Sequence, residues 1–235
     1  MHYSNKQISK KRLMSEPILY SFRRCPFAIR ARWALACVNQ NVIIREVSLK
    51  NKPIALKEIS PKGTVPVLVT KEGEVIEESL DIMKWAIKST SNSQILRSVN
   101  ISDLTTSNEL IVQNDSEFKY HLDRFKYASR YKGVKKELHQ EQAYRILLKL
   151  NNQLKSNYLR YRQLCLVSNS ISLADWAIWP FIRQYRIANK VIFDEDKRIE
   201  VLRRWLNYFL THKYYDIIMK KHSVWHIGSV PERLI

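Results

Sequence analysis

The sequence predicts an α/β first half followed by an all-helical second half. Three observations carry that expectation. Between residues 17 and 88, short apolar and β-branched runs alternate with helical patterns in the order β-α-β-α-β-β-α. Residues 89–107 (STSNSQILRSVNISDLTTS) are rich in Ser, Thr and Asn with little periodicity, which reads as a linker between two domains. From residue 108 to residue 235 every clear pattern has the helical period. Residues 1–16 form a basic tail whose densest stretch is Lys6 to Arg12.

The elements follow in order. Pro17 to Ser21 reads as a strand. Pro26 to Val38 reads as a helix, with Pro26 in its first turn, where a missing N–H costs little. Val42 to Leu49 (VIIREVSL) is β-branched and reads as a strand, and Pro53 to Ile59 as a short helix. Val65 to Thr70 is a strand entered through a proline. Gly73 turns the chain into a short strand, Glu74 to Ile76. Ser79 to Ile87 is a helix with Leu80, Met83 and Ile87 on one face. In the second half, Gln142 to Asn157 has an amphipathic face of Ala143, Ile146, Leu147, Leu150 and Leu154. Ser172-Leu173-Ala174-Asp175 has the form of a capping box, with Asp175 in place of the usual Glu. Pro180 falls inside that helix, Val201 to Leu210 is the last clear helix, and the tail from His222 reads as irregular with His222 and His226 solvated.

Composition narrows the class. A chain of 235 residues with 45% hydrophobic and 26% charged residues is ordinary for a soluble globular protein with a real core. The three cysteines, Cys25, Cys37 and Cys165, have no metal-like spacing, and no His/Cys cluster points to a metal. No secretory signal and no apolar run of about 20 residues is visible, so the expected setting is reducing and cytoplasmic, without a membrane span. The net charge of +18 favours anionic partners. The basic residues are spread along the chain rather than gathered, which makes nucleic acid the less favoured of those partners.

Chemistry concentrates at Cys25-Pro26-Phe27-Ala28. A cysteine at a strand-to-helix junction meets backbone N–H groups and the positive end of the helix dipole, and Arg23 and Arg24 precede it, so a lowered thiol pKa is expected. Ala28 fills the second position of a Cys-x-x-Cys motif, leaving a one-thiol site. Gly63-Thr64-Val65-Pro66 puts a proline at a strand start, where a cis bond would free the Val65 backbone for an extended ligand. Ser79 can cap the following helix, whose N–H groups suit a carboxylate. Glu78 suits an ammonium group, and Lys52 offers a flexible cation. A short peptide with a thiol and a carboxylate at each end would satisfy all of them, and glutathione has that shape.

The chain resembles the cytosolic glutathione transferases, of the omega-like cysteine type with its bacterial relatives. The resemblance rests on Arg24-Cys25-Pro26-Phe27-Ala28-x-Arg30, Leu49-Lys50-Asn51-Lys52-Pro53, Pro61-x-Gly63-x-Val65-Pro66-Val67-Leu68, Glu78-Ser79-Leu80-Asp81-Ile82 and Ser172-Leu173-Ala174-Asp175. It runs from Pro17 onward and implies a thioredoxin-like domain over 17–88 and an all-α domain over 108–235. It implies that Cys25 forms a mixed disulfide with glutathione, with Lys52 on the glycyl carboxylate. Val65 beside a cis Pro66 would hold the cysteinyl backbone, and Glu78 and Ser79 the γ-glutamyl end. Thiol transfer, reduction of mixed disulfides and dehydroascorbate reduction are then expected over conjugation to electrophiles, with glutathione as co-substrate and no metal. Relatives of this kind are commonly dimers. Phe118 to Tyr127 (FKYHLDRFKY) looks like a signature of the bacterial branch with no evident chemical role.

With Ala28 in place of a second thiol, a second glutathione must resolve the mixed disulfide. Cys37 lies roughly 18 Å and about 120° round the helix from Cys25, too far to do so. Cys37 and Cys165 read as small buried hydrophobes. Phe27, Tyr120, Arg124 and Trp179 are candidates for the second-substrate pocket, which would take a small thiol, disulfide or electrophile. For Trp179 a core position is the favoured reading over the pocket, and for Tyr120 and Arg124 a surface or dimer contact is favoured over it. The alternative function is a non-catalytic binding protein on the same scaffold, partnered with nucleic acid or the transcription and translation machinery. A membrane-inserting relative of the intracellular chloride channel proteins ranks last, because no segment of the first domain is apolar enough.

Overall fold

In the computed structural model, which describes residues 15–91 and 104–235, the first half is a mixed sheet with helices on both faces. Its elements are β1 (Ile18–Ser21), α1 (Pro26–Cys37), β2 (Ile43–Glu46), α2 (Ile54–Ile59), β3 (Val67–Val69), β4 (Val75–Ile76) and α3 (Ser79–Ser89). β1 is parallel to β2 and antiparallel to β3, and β3 is antiparallel to β4. This is a thioredoxin-like arrangement. Both faces of β1 are covered, so its sequence ILYS shows no polar alternation. Leu19 belongs to the buried cluster that includes Ile29 of α1 and Ile82 and Met83 of α3, whereas Ile18 and Tyr20 belong to a second cluster with Leu56 of α2 and Val67.

The second half contains α4 (Leu104–Gln113), a π-helical turn (Asn114–Phe118), α5 (Lys119–Lys126), α6 (Lys136–Tyr161), α7 (Leu173–Ala188), α8 (Lys190–Glu195), α9 (Glu200–Leu210) and α10 (Lys213–Met219). Residues 104–107, expected in the linker, are the first turn of α4. The remainder of that linker from residue 92, and the tail to residue 14 with its Lys6–Arg12 run, lie outside the described residues. α7 runs through Pro180 without interruption. Among the described residues, no helix is long and apolar enough to cross a membrane.

The C-terminal tail corrects the all-helical expectation. β5 (Glu232–Arg233) pairs antiparallel with β2, giving the sheet order β4-β3-β1-β2-β5. His222, expected in solvent, is buried, and its Nδ1 lies 2.7 Å from Glu232 Oε2. Trp225 meets the Tyr20 ring edge-on, and the Arg45 guanidinium lies 4.1 Å from the Trp225 ring centroid. A two-residue polar strand has no local signature, because its pairing partner is nearly 200 residues away in sequence. The effect is to cover the outer edge of β2.

The capping box forms as expected and does more than cap. Ser172 Oγ accepts the Asp175 N–H, and Asp175 Oδ2 accepts the Ser172 N–H at 2.8 Å. Asp175 Oδ1 also accepts the Leu166 N–H at 3.0 Å and the Trp205 indole N–H at 2.7 Å. Burial pushes this carboxyl up, and its donors oppose the rise. One fully buried residue thus ties the start of α7 to the preceding loop and to α9. Asp175→Ala strands those donors and should cost about 3 kcal/mol or more in urea unfolding. A loss near 1 kcal/mol would mean that only the cap matters.

Candidate functional site

Cys25 stands in the turn between β1 and α1, as the last extended residue before the helix (φ −74°, ψ 122°). Its N–H donates to Phe22 O at 3.0 Å and its carbonyl accepts the Ile29 N–H at 2.9 Å. Pro26 is the first helical residue, where it forfeits no helical hydrogen bond. The thiol is half-buried and donates to the Val65 carbonyl at 3.7 Å. The Val65–Pro66 peptide is cis. The Val65 N–H and C=O make no backbone hydrogen bond among the described residues. Cys25, Val65 and Pro66, picked out 40 residues apart, therefore meet.

The thiol electrostatics depart from expectation. Burial pushes the Cys25 pKa up, and the N–H groups of Ala28 and Phe27 only partly oppose it. Arg23 and Arg24 do not supply the compensating charge. The Arg24 guanidinium lies over the Phe22 ring, and Arg23 meets Glu46 Oε1 through its backbone N–H rather than its charge. The cations whose fields reach the sulfur are Arg32 and Lys119. Arg32 is fully buried in α1 and bonds Ser21 Oγ together with the carbonyls of Phe22, Arg23 and Ile218. Lys119 comes from the helical half, and its Nζ lies 5.7 Å from the Phe27 ring centroid.

The other expected residues divide. Lys52 runs across Gly63, which has φ +57°; a Cβ there would sit 3.5 Å from Lys52 Cδ and 3.7 Å from its Nζ. Glycine thus permits both the turn and the close approach of the cation to the Val65 loop. Ser79 is the first residue of α3 rather than its cap, and its hydroxyl accepts Arg30 Nε at 2.9 Å. The unpaired N–H groups of the first turn of α3 are intact for an anion. Glu78 is exposed, pairs with Lys62 at 3.1 Å, and lines a charged groove of about 520 Å³ with Asp81, Lys84 and Trp85, which Cys25 does not line.

Of the pocket candidates, Phe27 is half-buried and meets Phe181 edge-on at 4.9 Å. Trp179 is not available to a substrate: it is fully buried, stacked on Phe209 and packed against Trp33. Its helix is apolar nearly all round, which leaves periodicity unable to say which aromatic faces the cleft. Tyr120 and Arg124 pair with each other, the guanidinium 3.5 Å from the ring centroid, with Tyr131 beyond it. Residues not anticipated gather around Phe27, and one of them, Lys119, reaches Cys25 with its field. Arg30 is stacked on Phe27 and forms a two-pronged ion pair with Asp115, and Lys119 pairs with Asp123. The spacing Asp115, Lys119, Asp123 is i, i+4, i+8, a signal of one shared helix face. Cys37 and Cys165 are inert by burial, which pushes Cys165 up to about 12 and Cys37 up as well. Among the described residues, no three His, Cys, Asp or Glu side chains are grouped to hold a metal ion.

Comparison with known proteins bears on the family and the fold. Residues 19–94 match the family model of the glutathione S-transferase N-terminal domain. Glutathione S-transferase omega-1 of Rattus norvegicus is 26% identical over 169 residues, which is 71% of this chain and 66% of the relative, just under two thirds of its length. Glutathione transferase Omega 3C from Trametes versicolor superposes with a TM-score of 0.70 at 18% identity, over 91% of this chain and 92% of its own. The glutathione transferase URE2P6 from Phanerochaete chrysosporium, solved in complex with oxidized glutathione, gives 0.72 at 16% identity over 86% and 94%. These two structures establish a shared fold.

A raised folded-state pKa favours the neutral thiol, so thiolate accumulates only as pH climbs past the ordinary thiol value of about 8.5. Alkylation of Cys25 in the free protein, followed by iodoacetamide labelling and peptide mapping, should accelerate from pH 7 to pH 9 without a plateau. A plateau below pH 7 would show that the N–H groups and cations outweigh burial.

Proposed function

We propose, for a chain with a glutathione S-transferase N-terminal domain on the glutathione transferase fold, that it is a glutathione-dependent thiol transferase. The observation that carries this reading is the Cys25 thiol at the start of α1, held 3.7 Å from the carbonyl of a residue that precedes a cis proline. In this reading glutathione extends along Val65 and Pro66. Lys52 takes the glycyl carboxylate, and the first-turn N–H groups of α3 from Ser79, with Glu78, take the γ-glutamyl end.

Ligand binding also acts on the nucleophile. Val65 O now accepts the thiol proton. A ligand N–H donated to that oxygen competes for it and shifts Cys25 toward the thiolate. The thiolate attacks the glutathionyl sulfur of a mixed disulfide, the S–S bond breaks, and the departing thiolate takes a proton from solvent. A second glutathione thiolate then attacks the Cys25–glutathione disulfide and releases oxidised glutathione with Cys25 regenerated. The sum is RSSG + GSH → RSH + GSSG. Ala28 excludes an internal dithiol cycle, so glutathione is the resolving thiol. Dehydroascorbate is a further candidate oxidant, and a cytoplasmic homodimer the proposed state.

The net charge of +18 favours a second reading, an anion-binding protein on the same scaffold. Incubation with oxidised glutathione should give one adduct by intact mass, mapped to Cys25. Cys25→Ser should lose that adduct and lower mixed-disulfide reduction by about a hundredfold or more. Normal turnover in the variant would overturn the assignment. Absence of an adduct, with tight salt-sensitive binding of RNA or DNA, would favour the second reading.

A further inference from the structure

Cys25 has two flanks. Val65 lies on one, with Lys52 beside Gly63 of its loop, and the other is the Phe27 ring, around which Phe181, Arg30 and Lys119 gather. The cations on this second flank differ in what they have left to give. Arg30 has a side chain only 3% exposed, and its donors are committed to Ser79 Oγ and to both Asp115 oxygens. Arg32 is buried and committed to Ser21 and to main-chain carbonyls. Lys119 is different: its side chain is 20% exposed, and its ammonium carries three N–H donors beside a single carboxylate, Asp123. It sits over the face of Phe27, two residues from Cys25, and its field reaches the sulfur.

The fold fixes this lysine where it stands. The π-helical turn Asn114–Phe118 runs directly into α5, and Asp115 within it is locked to Arg30 of α1. One helical turn further on, the same face brings Lys119 over Phe27. Tyr120 and Arg124 fall about 100° and about 140° further round α5 from Lys119, paired with each other. An ammonium group over an aromatic floor, open to solvent on one side, suits an anionic group on a short apolar body.

We propose that Lys119 is the specificity-determining residue on the second-substrate side of Cys25, selecting disulfides whose departing thiol carries a carboxylate. The proposal rests on the thiol transferase reading for its chemistry. Lys119 binds the carboxylate while Cys25 attacks the glutathionyl sulfur, and the carboxylate-bearing thiolate leaves on the Phe27 side and is protonated by solvent. No further oxidant or reductant enters beyond the two glutathione equivalents of the cycle.

The test compares mixed disulfides of glutathione with 3-mercaptopropionate (anionic), 2-mercaptoethanol (neutral) and cysteamine (cationic). The native protein should prefer them in that order by kcat/KM. Lys119→Met should lower the anionic-to-neutral ratio about tenfold, mainly through KM, and Lys119→Arg should largely restore it. Using the ratio removes any general loss from a less reactive thiol or a less stable fold. A ratio unchanged in Lys119→Met overturns the proposal. A parallel measurement, the iodoacetate-to-iodoacetamide labelling ratio at Cys25, does not need turnover. If the native protein reduces none of the three disulfides, the thiol transferase reading fails, and this labelling ratio decides alone: a fall in Lys119→Met supports Lys119 as the anion reader, and no change overturns it.

Discussion

The buried guanidinium of Arg32 is the constraint on which the rest of the site depends. Among the described residues no carboxylate touches it; burial lowers its pKa to about 10, and the field of Glu46 partly offsets that. Its donors go instead to Ser21 Oγ and to the carbonyls of Phe22, Arg23 and Ile218. Withdrawing a guanidinium from water is tolerable only when its donors are occupied, so these oxygens are held where they are. Phe22 O is also the acceptor for the Cys25 N–H. The turn that aims the thiol is thereby fixed from beneath by a residue of the helix that follows it, and the same side chain reaches α10 through Ile218.

α1 consequently belongs to both halves of the protein. Its sheet-facing residues complete the thioredoxin-like core, while Trp33 enters the helical half against Trp179 and Phe209. Arg30 binds Asp115 across the same boundary. The site is built along that seam: Cys25, Val65 and Lys52 come from one side, Phe181 and Lys119 from the other. A seam held by ring packing and a two-pronged ion pair positions groups far apart in sequence to within hydrogen-bonding tolerances, which catalysis requires.

Legibility in the sequence followed the range of the interaction. The order β-α-β-α-β-β-α came from periodicity, and the Ser172–Asp175 box from a four-residue motif, both local. Cys25 before Pro26 and Val65 before Pro66 were legible for the same reason. The misreadings share the opposite origin. His222 is buried because Glu232 returns to it, and β5 exists because β2 offers an edge. Trp179, a pocket candidate for which the core is the favoured reading from sequence, sits in the core because Trp33 and Phe209 enclose it. Ser79 spends its hydroxyl on Arg30 rather than on a cap, since α1 and α3 pack side by side.

The thiol shows most clearly where local reasoning stops. Its position at a helix start, and therefore the presence of N–H groups around the sulfur, was determined by the sequence, as was the absence of a second thiol at Ala28. The direction of its pKa was decided only by tertiary structure, because desolvation depends on everything packed around the sulfur. Arg23 and Arg24 are adjacent in the chain yet are not the cations that act on the sulfur, while Arg32 and Lys119 reach it from about two helical turns along α1 and from a separate half of the protein. Electrostatic effects follow distance and burial in space, and sequence proximity stands in for neither.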